Sequence, residues 1–252
     1  MVKAGVSRIA LAASVVVALG STAACGSGGE GSEVKSSARA TASAAAPSGG
    51  ASDGASGAAT DAGAGALGQA ELEKAALASG DVKGYKVEAL PADEMPADSV
   101  AATPAVCQPL ADMFMFTSQP KAAARVGRSL SATDSLDSTV TSLALLAHTE
   151  GGAQEVFSGL RTASKKCTAY EHTDFKYSEV TALPDPKAGD EAVAYRLKGS
   201  IEGSSVPMTF TVVRSGSTLV AFYAVNLLGA DKTKVPEKVI DAQLAKLRKA
   251  AG

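Results

Sequence analysis

The sequence predicts an α+β domain, an antiparallel β-sheet flanked by helices, placed behind a long polar lead. Three observations predict it. Residues 191–198 and 208–212 alternate with a period of two, putting Val193, Tyr195 and Leu197, then Met208, Phe210 and Val212, on single strand faces. Leu219 to Val225 is apolar on both faces, as a central strand covered on each side would be. Two stretches carry a helical period instead. In Gly151 to Lys166 the stripe is Val156, Phe157, Leu160, Ala163 and on to Cys167; after Pro236 it is Val239, Ile240, Leu244 and Leu247. Runs of strands with helices set against them define the α+β class.

Taken from the start, Lys3 and Arg8 precede an uncharged run, Ile9 to Leu19, and then the small residues Gly20 to Ala24. That is the layout of an export signal. As a helix the run covers roughly 16 Å, about half of a ~30 Å hydrocarbon core, too little for a stable span. No Arg-Arg pair is present, which favours the general secretion route over the twin-arginine one. Thr22-Ala23-Ala24-Cys25 resembles the lipobox of bacterial lipoproteins, in which the cysteine receives a diacylglycerol and becomes the first mature residue. The resemblance implies a signal peptide over 1–24 and lipidation of Cys25, so that the membrane is the partner and the outer face of the cell membrane the location. Thr22 stands where leucine is usual, and ordinary cleavage to a secreted protein is the alternative. Two acyl chains hold a protein that one would hold only marginally. Residues 25–66 form a tether: of the 41 residues from Gly26 to Ala66, 33 are Gly, Ala, Ser or Thr. Such a segment cannot bury enough surface to offset its chain entropy and is expected to be disordered, with an end-to-end distance of roughly 35 Å.

The remaining residues, 67–252, suffice for one globular domain with a substantial core. Gln69 to Ser79 reads as a helix with Leu72, Ala75, Ala76 and Ser79 on one face, stopped by Gly80. Asp81 to Gly84 is a turn and Tyr85 to Leu90 a strand; Pro91, Pro96 and Pro104 make the next stretch irregular; a short helix carries Val106 to Phe114. Thr139 to His148 is a strand with Thr141, Leu143, Leu145 and Ala147 on one face, and Asp174 to Leu183 a weaker one. Ser215-Gly216 is the turn before the central strand, and Pro236 opens the last helix.

Composition and charge exclude several function classes. The domain carries 20 Lys and Arg against 22 Asp and Glu, which gives nucleic acid no basic footprint. Two G-x-G-x-x-G matches, at Gly26 and Gly63, sit in the Gly-rich tether without a preceding strand and are accidental. With Cys25 lipidated, Cys107 and Cys167 remain, and an even count in an oxidising compartment favours a disulfide between them over two buried thiols. A zinc site built from Cys107, Cys167, His148 and His172 lacks any ligand pair at the usual spacing, so no metal and no cofactor is expected. No G-x-S-x-G elbow exists, and His148 and His172 are the only histidines. Each reads as packed or solvated, and no catalytic residue is expected. Carboxylates are plentiful, and their pairing in space is not legible from sequence.

One apolar run stands out. Met113-Phe114-Met115-Phe116 could line a cleft for an apolar ligand, since Met and aromatic side chains adapt to varied partners. Such runs are more often core. Tyr85 and Tyr223 are candidate lining residues with the same bland alternative.

The run Gly80 to Val87, the segment Pro104 to Cys107, the helix ending in Cys167, and the closing Val235-Pro236 helix with Gln243 and Leu247 resemble a group of actinobacterial surface lipoproteins. Their globular part is similar to the extracellular sensor domain of mycobacterial PknH-type receptor kinases. A single asparagine, no tryptophan and an excess of Ala and Gly fit a GC-rich genome. The resemblance implies an antiparallel sheet flanked by helices with a ligand cleft. That family usually carries two disulfides, and this chain can form only one. The expectation is therefore a monomeric, lipid-anchored, non-catalytic binding or sensing module. The alternatives are a carrier of a lipid or other apolar ligand and a passive envelope component that contacts protein or cell wall. A large dry cavity would favour the carrier; an open polar cleft would favour the sensor.

Overall fold

The structure is a computed structural model, and it describes residues 65–134, 138–201, 203–226 and 233–251. The chain divides into two units, Met1–Gly54 and Ala55–Gly252, and the described residues all belong to the second. Cys25, the signal segment and almost all of the tether lie outside them.

Eight strands form one antiparallel sheet: β1 (Tyr85–Ala89), β2 (Ala124–Ala132), β3 (Thr139–Ala147), β4 (Tyr170–His172), β5 (Phe175–Leu183), β6 (Glu191–Ile201), β7 (Ser204–Ser215) and β8 (Thr218–Asn226). Their spatial order is β1-β2-β3-β8-β7-β6-β5-β4. Two meanders, β1 to β3 and β4 to β8, thus meet where β3 pairs with β8, and the doubly apolar run predicted as a central strand is that seam. Four helices complete the fold: α1 (Gln69–Ala75), α2 (Gln108–Phe114), α3 (Glu150–Lys166) and α4 (Glu237–Ala251). Short 3₁₀ turns occupy Ala92–Glu94 and Ala105–Cys107. No helix among the described residues is long and apolar enough to cross a membrane.

The period-two alternation gives the sheet two apolar faces, and each is covered by a helix pair. On one face Ala144, Leu146, Val193, Tyr195, Leu197, Phe210, Val212 and Ala221 pack with α2 and α3 through Leu110, Met113, Phe157 and Leu160. On the other, Leu143, Leu145, Val213, Val220 and Phe222 pack with α1 and α4 through Leu72, Val239, Ile240, Leu244 and Leu247. Thr149 caps α3 by accepting from the Gly152 backbone N–H at 3.2 Å, and Lys165 and Lys166 sit in its last turn, where the dipole is negative. Cys107 and Cys167 are joined with Cα atoms 5.2 Å apart, so the bridge ties the turn before α2 to the end of α3.

The first helix ends four residues earlier than its pattern predicts, and Ser79 is exposed rather than on the buried face. The cause is tertiary. Gln243 of α4, fully buried, accepts from the Leu77 N–H at 3.0 Å and donates to the Ala75 carbonyl at 2.7 Å. Those bonds satisfy backbone groups that a further helical turn would have used. β2 and β4 were not anticipated. On β2, Gly127 lets the Leu90 to Met95 segment lie against the strand, since a Cβ there would stand 2.7 Å from the Met95 sulfur and 3.0 Å from Leu90.

Candidate functional site

Three places on this frame could carry chemistry or binding. The first is buried under α2. Ser118 Oγ lies 3.4 Å from His148 Nε2, a nucleophile-base pairing in outline, and both side chains are buried. Asp112, the one buried carboxylate among the described residues, is engaged instead by Ser99, by Gln108 Nε2 at 2.9 Å and by Thr117 Oγ1 at 3.3 Å. The cavities that Ser118 lines measure about 20 and 70 Å³, room for a water or two and no substrate. Here the chain has packed a polar cluster rather than opened a reaction site.

That cluster makes a pH prediction. Burial lowers His148 from 6.5 to about 4. Its imidazole therefore takes up a proton in the unfolded chain well before it does in the folded one. Stability is untouched above pH ~6.5 and falls as pH drops from there toward 4, by up to about 3 kcal/mol in all. Asp81 and Asp98, held low chiefly by hydrogen bonds from Lys246 and Lys121, lose their contribution only below the ordinary carboxylate value of 3.8, outside that window. His148→Gln is expected to flatten the decline between pH 7 and 4.5, as read by denaturant unfolding at the two pH values.

The second place is the aromatic run. Met113 and Phe116 are buried, while Phe114 and Met115 are half-buried. Phe114 meets Tyr177, Phe210 and Tyr223 with ring centroids at 5.6, 6.1 and 5.4 Å, and Phe116 stacks on Tyr223 at 5.5 Å. These rings fill space between themselves. Tyr85 belongs to the opposite cluster, where Lys238 Nζ sits 4.5 Å from its ring centre. The six candidates therefore do not converge on one pocket; Met113 alone among them borders the 70 Å³ cavity.

The third place is open and polar. A cleft of about 490 Å³ lies over β5, β6 and β7, lined by Glu179, Arg196, Leu197, Lys198, Pro207, Met208, Thr209 and Thr233. Its size suits a small molecule. The strand period builds it: along β6 the residues on the α4 side run Ala192, Ala194, Arg196, Lys198, apolar where neighbouring structure covers them and basic where the cover ends. Arg196 is flanked directly by Thr181 on β5 and Thr209 on β7. Thr209 Oγ1 donates to the Thr233 carbonyl at 2.8 Å, fixing the chain that leads into α4 as the far wall. Lys198 Nζ pairs with Glu179 at 2.8 Å. Glu179 sits where the β5 register shifts, with φ of 53°, in the left-handed region that a glutamate adopts at a cost. A shallower open surface of about 500 Å³ borders Tyr170 and Tyr177 at the β4 edge.

The sequence reading missed the basic cleft because Arg196 and Lys198 look like the ordinary outward positions of a half-buried strand. Their one legible signal is that both fall on the same parity beyond two alanines. Among the described residues no three His, Cys, Asp or Glu side chains group as metal ligands.

No protein-family model matches the chain, and no curated protein does. Among solved structures it is similar to the extracellular domain of PknH from Mycobacterium tuberculosis, at a TM-score of 0.47 and 12% identity, over 75% of this chain and 98% of that one. It is also similar to an uncharacterized protein from Mycobacterium smegmatis, at a TM-score of 0.38 and 12% identity, over 68% of this chain and 90% of the other.

Proposed function

We propose that residues 67–252 are a non-catalytic binding or sensing module displayed outside the cytoplasm, tethered through a diacylglycerol on Cys25, and that its ligand occupies the polar cleft over β5 to β7. The observation that carries this reading is the cleft itself, open and polar, with its far wall fixed by the Thr209 to Thr233 hydrogen bond. A lipid carrier would need a large apolar cavity. The rings that could wall one, Phe114, Tyr177, Phe210 and Tyr223, are packed against one another. The Ser118–His148 pair has no space beside it for an ester or amide substrate.

Native mass spectrometry of the full-length protein taken from its own envelope, before and after denaturation, tests the reading. The expected result is an added mass that denaturation removes, together with slowed hydrogen exchange at the β6 and β7 amides bordering the cleft while the ligand is bound. A captured mass that protects the aromatic face under α2 instead would overturn it in favour of the carrier. Membrane fractionation of Cys25→Ala tests the anchor separately: release of the protein is expected, and firm retention would remove the anchor from the proposal.

A further inference from the structure

We infer that the cleft recognises a single negative charge, a carboxylate or a phosphodiester on a small polar ligand, through Arg196 with Lys198 beside it. This rests on the binding reading above and names the class of ligand. Four observations carry it.

The guanidinium of Arg196 has no hydrogen-bond or ionic partner among the described residues, and it is exposed. Of the other arginines in the described residues, Arg125, Arg128, Arg161 and Arg214 are occupied, by the Phe116 carbonyl, Glu73, Glu191, and Asp190 with Glu191, and Arg248 lies exposed in the last turn of α4, away from the cleft lining. Arg196 is also held at its base. Its strand is paired on both sides, so its Cβ stands in a fixed rung between Thr181 and Thr209. A planar fork of donors on a rigid strand is suited to receiving two oxygens of one anion.

Lys198 lies two positions further along the same face, about 7 Å away by strand geometry. Its partly exposed ammonium pairs with Glu179 at 2.8 Å. The backbone of Glu179 is in turn fixed, because its carbonyl accepts from Thr181 Oγ1 at 3.1 Å and it occupies the strained left-handed turn of the β5 bulge. A bulge of this kind re-aims a side chain. Here it turns the carboxylate toward Lys198 in the cleft.

The charge balance chooses the ligand. Arg196 and Lys198 contribute two positive charges and Glu179 one negative, so the lining carries a net charge of one positive. One negative charge neutralises it. A doubly charged phosphate monoester would leave an excess beside Glu179. Finally, the Thr233 hydroxyl on the far wall is buried and has no partner among the described residues, an unused donor beside the cations of the lining.

The test is amide chemical-shift titration of the full-length protein at constant ionic strength, with acetate and dimethyl phosphate as the monoanion probes, and glycerol and choline chloride as the neutral and cationic ones. Saturable shifts at Arg196, Lys198 and Thr209 are expected with at least one monoanion. The probe that binds tighter distinguishes a carboxylate from a phosphodiester source. Arg196→Gln is expected to weaken that binding at least tenfold. Glu179→Gln is expected to tighten it several-fold by freeing Lys198, a change that a merely structural glutamate would not produce. Lys86→Gln, which removes an equal charge at the far β1 edge, is expected to leave it unchanged.

Shifts that grow linearly over many surface cations, an Arg196→Gln variant that binds as before, or a Glu179→Gln variant that binds more weakly would each overturn the assignment. So would saturation of the same amides by choline or glycerol in place of the anions. That outcome leaves the cleft standing as a binding site, whereas the absence of any captured mass in the native experiment removes the parent reading.

Discussion

Replacing Cys107 and Cys167 together by serine is expected to lower the melting temperature by about 10 °C. The bridge spans a sequence separation of 60, and closing a loop of that length in the unfolded chain is worth ~4 kcal/mol in the chain-entropy model. For a domain of this size ~1 kcal/mol corresponds to roughly 2 to 4 °C. The loss is felt locally as well. Cys107 and Cys167 are both buried, and the bridge holds the entry to α2 against the end of α3, above the aromatic face of the sheet. Thermal unfolding of the double-serine protein beside the oxidised parent checks this. A fall of less than about 2 °C would show that the unfolded chain is already compact in this region, so that the bridge removes little freedom from it.

Phe210→Ala is expected to cost about 3 to 5 kcal/mol, the range for emptying a fully packed ring site. The ring is buried near the centre of the sheet, stacked on Tyr195 at 4.8 Å between centroids with planes 4° apart, and met by Phe114 at 6.1 Å and Tyr223 at 5.5 Å. Little can move in to fill the space, because its strand is paired on both sides with β6 and β8. Denaturant unfolding reads the change directly. Near-ultraviolet dichroism should report it too, since removing Phe210 leaves Tyr195 without the ring it stacks on. A loss below about 1 kcal/mol would mean that the neighbouring rings collapse into the gap, against the rigidity argued from strand pairing.

What could be read from residues alone followed the strength of the local pattern. β6, β7, α3 and α4 were legible because each turns a continuous apolar stripe to a core, and β8 because it is apolar on both faces; the structure buries those stripes. The cysteine pair was legible from count and compartment, with no geometry needed. β2 was not, because Arg125, Gly127 and Ser129, which alternate with its apolar positions, look like loop. Tertiary partners give them their roles: Arg125 Nη1 donates to the Phe116 carbonyl at 2.8 Å, and Gly127 makes room for Met95. The end of α1 was not legible either, since the side chain that replaces its last hydrogen bonds is Gln243, far away in sequence. The cleft falls in the same class. Arg196 on its own strand is an ordinary surface cation, and only the β5 bulge and the chain before α4 turn its surroundings into a concavity.

The place of β8 in the sheet also bears on when this protein can fold. A chain that appears N-terminus first has β1 to β3 and then β4 to β7 in hand as two separate meanders, each with an open flank that only β8 can close. The second face stays half-covered until later still: α1 can already hold to β2 through the Glu73–Arg128 pair, but its partner α4, with the Gln243 bonds that seal its end, comes last. Contacts that wait for the far end of a chain form late and together. The nascent protein is therefore expected to hold two unjoined meanders until its last strand has emerged, and then to close in one step.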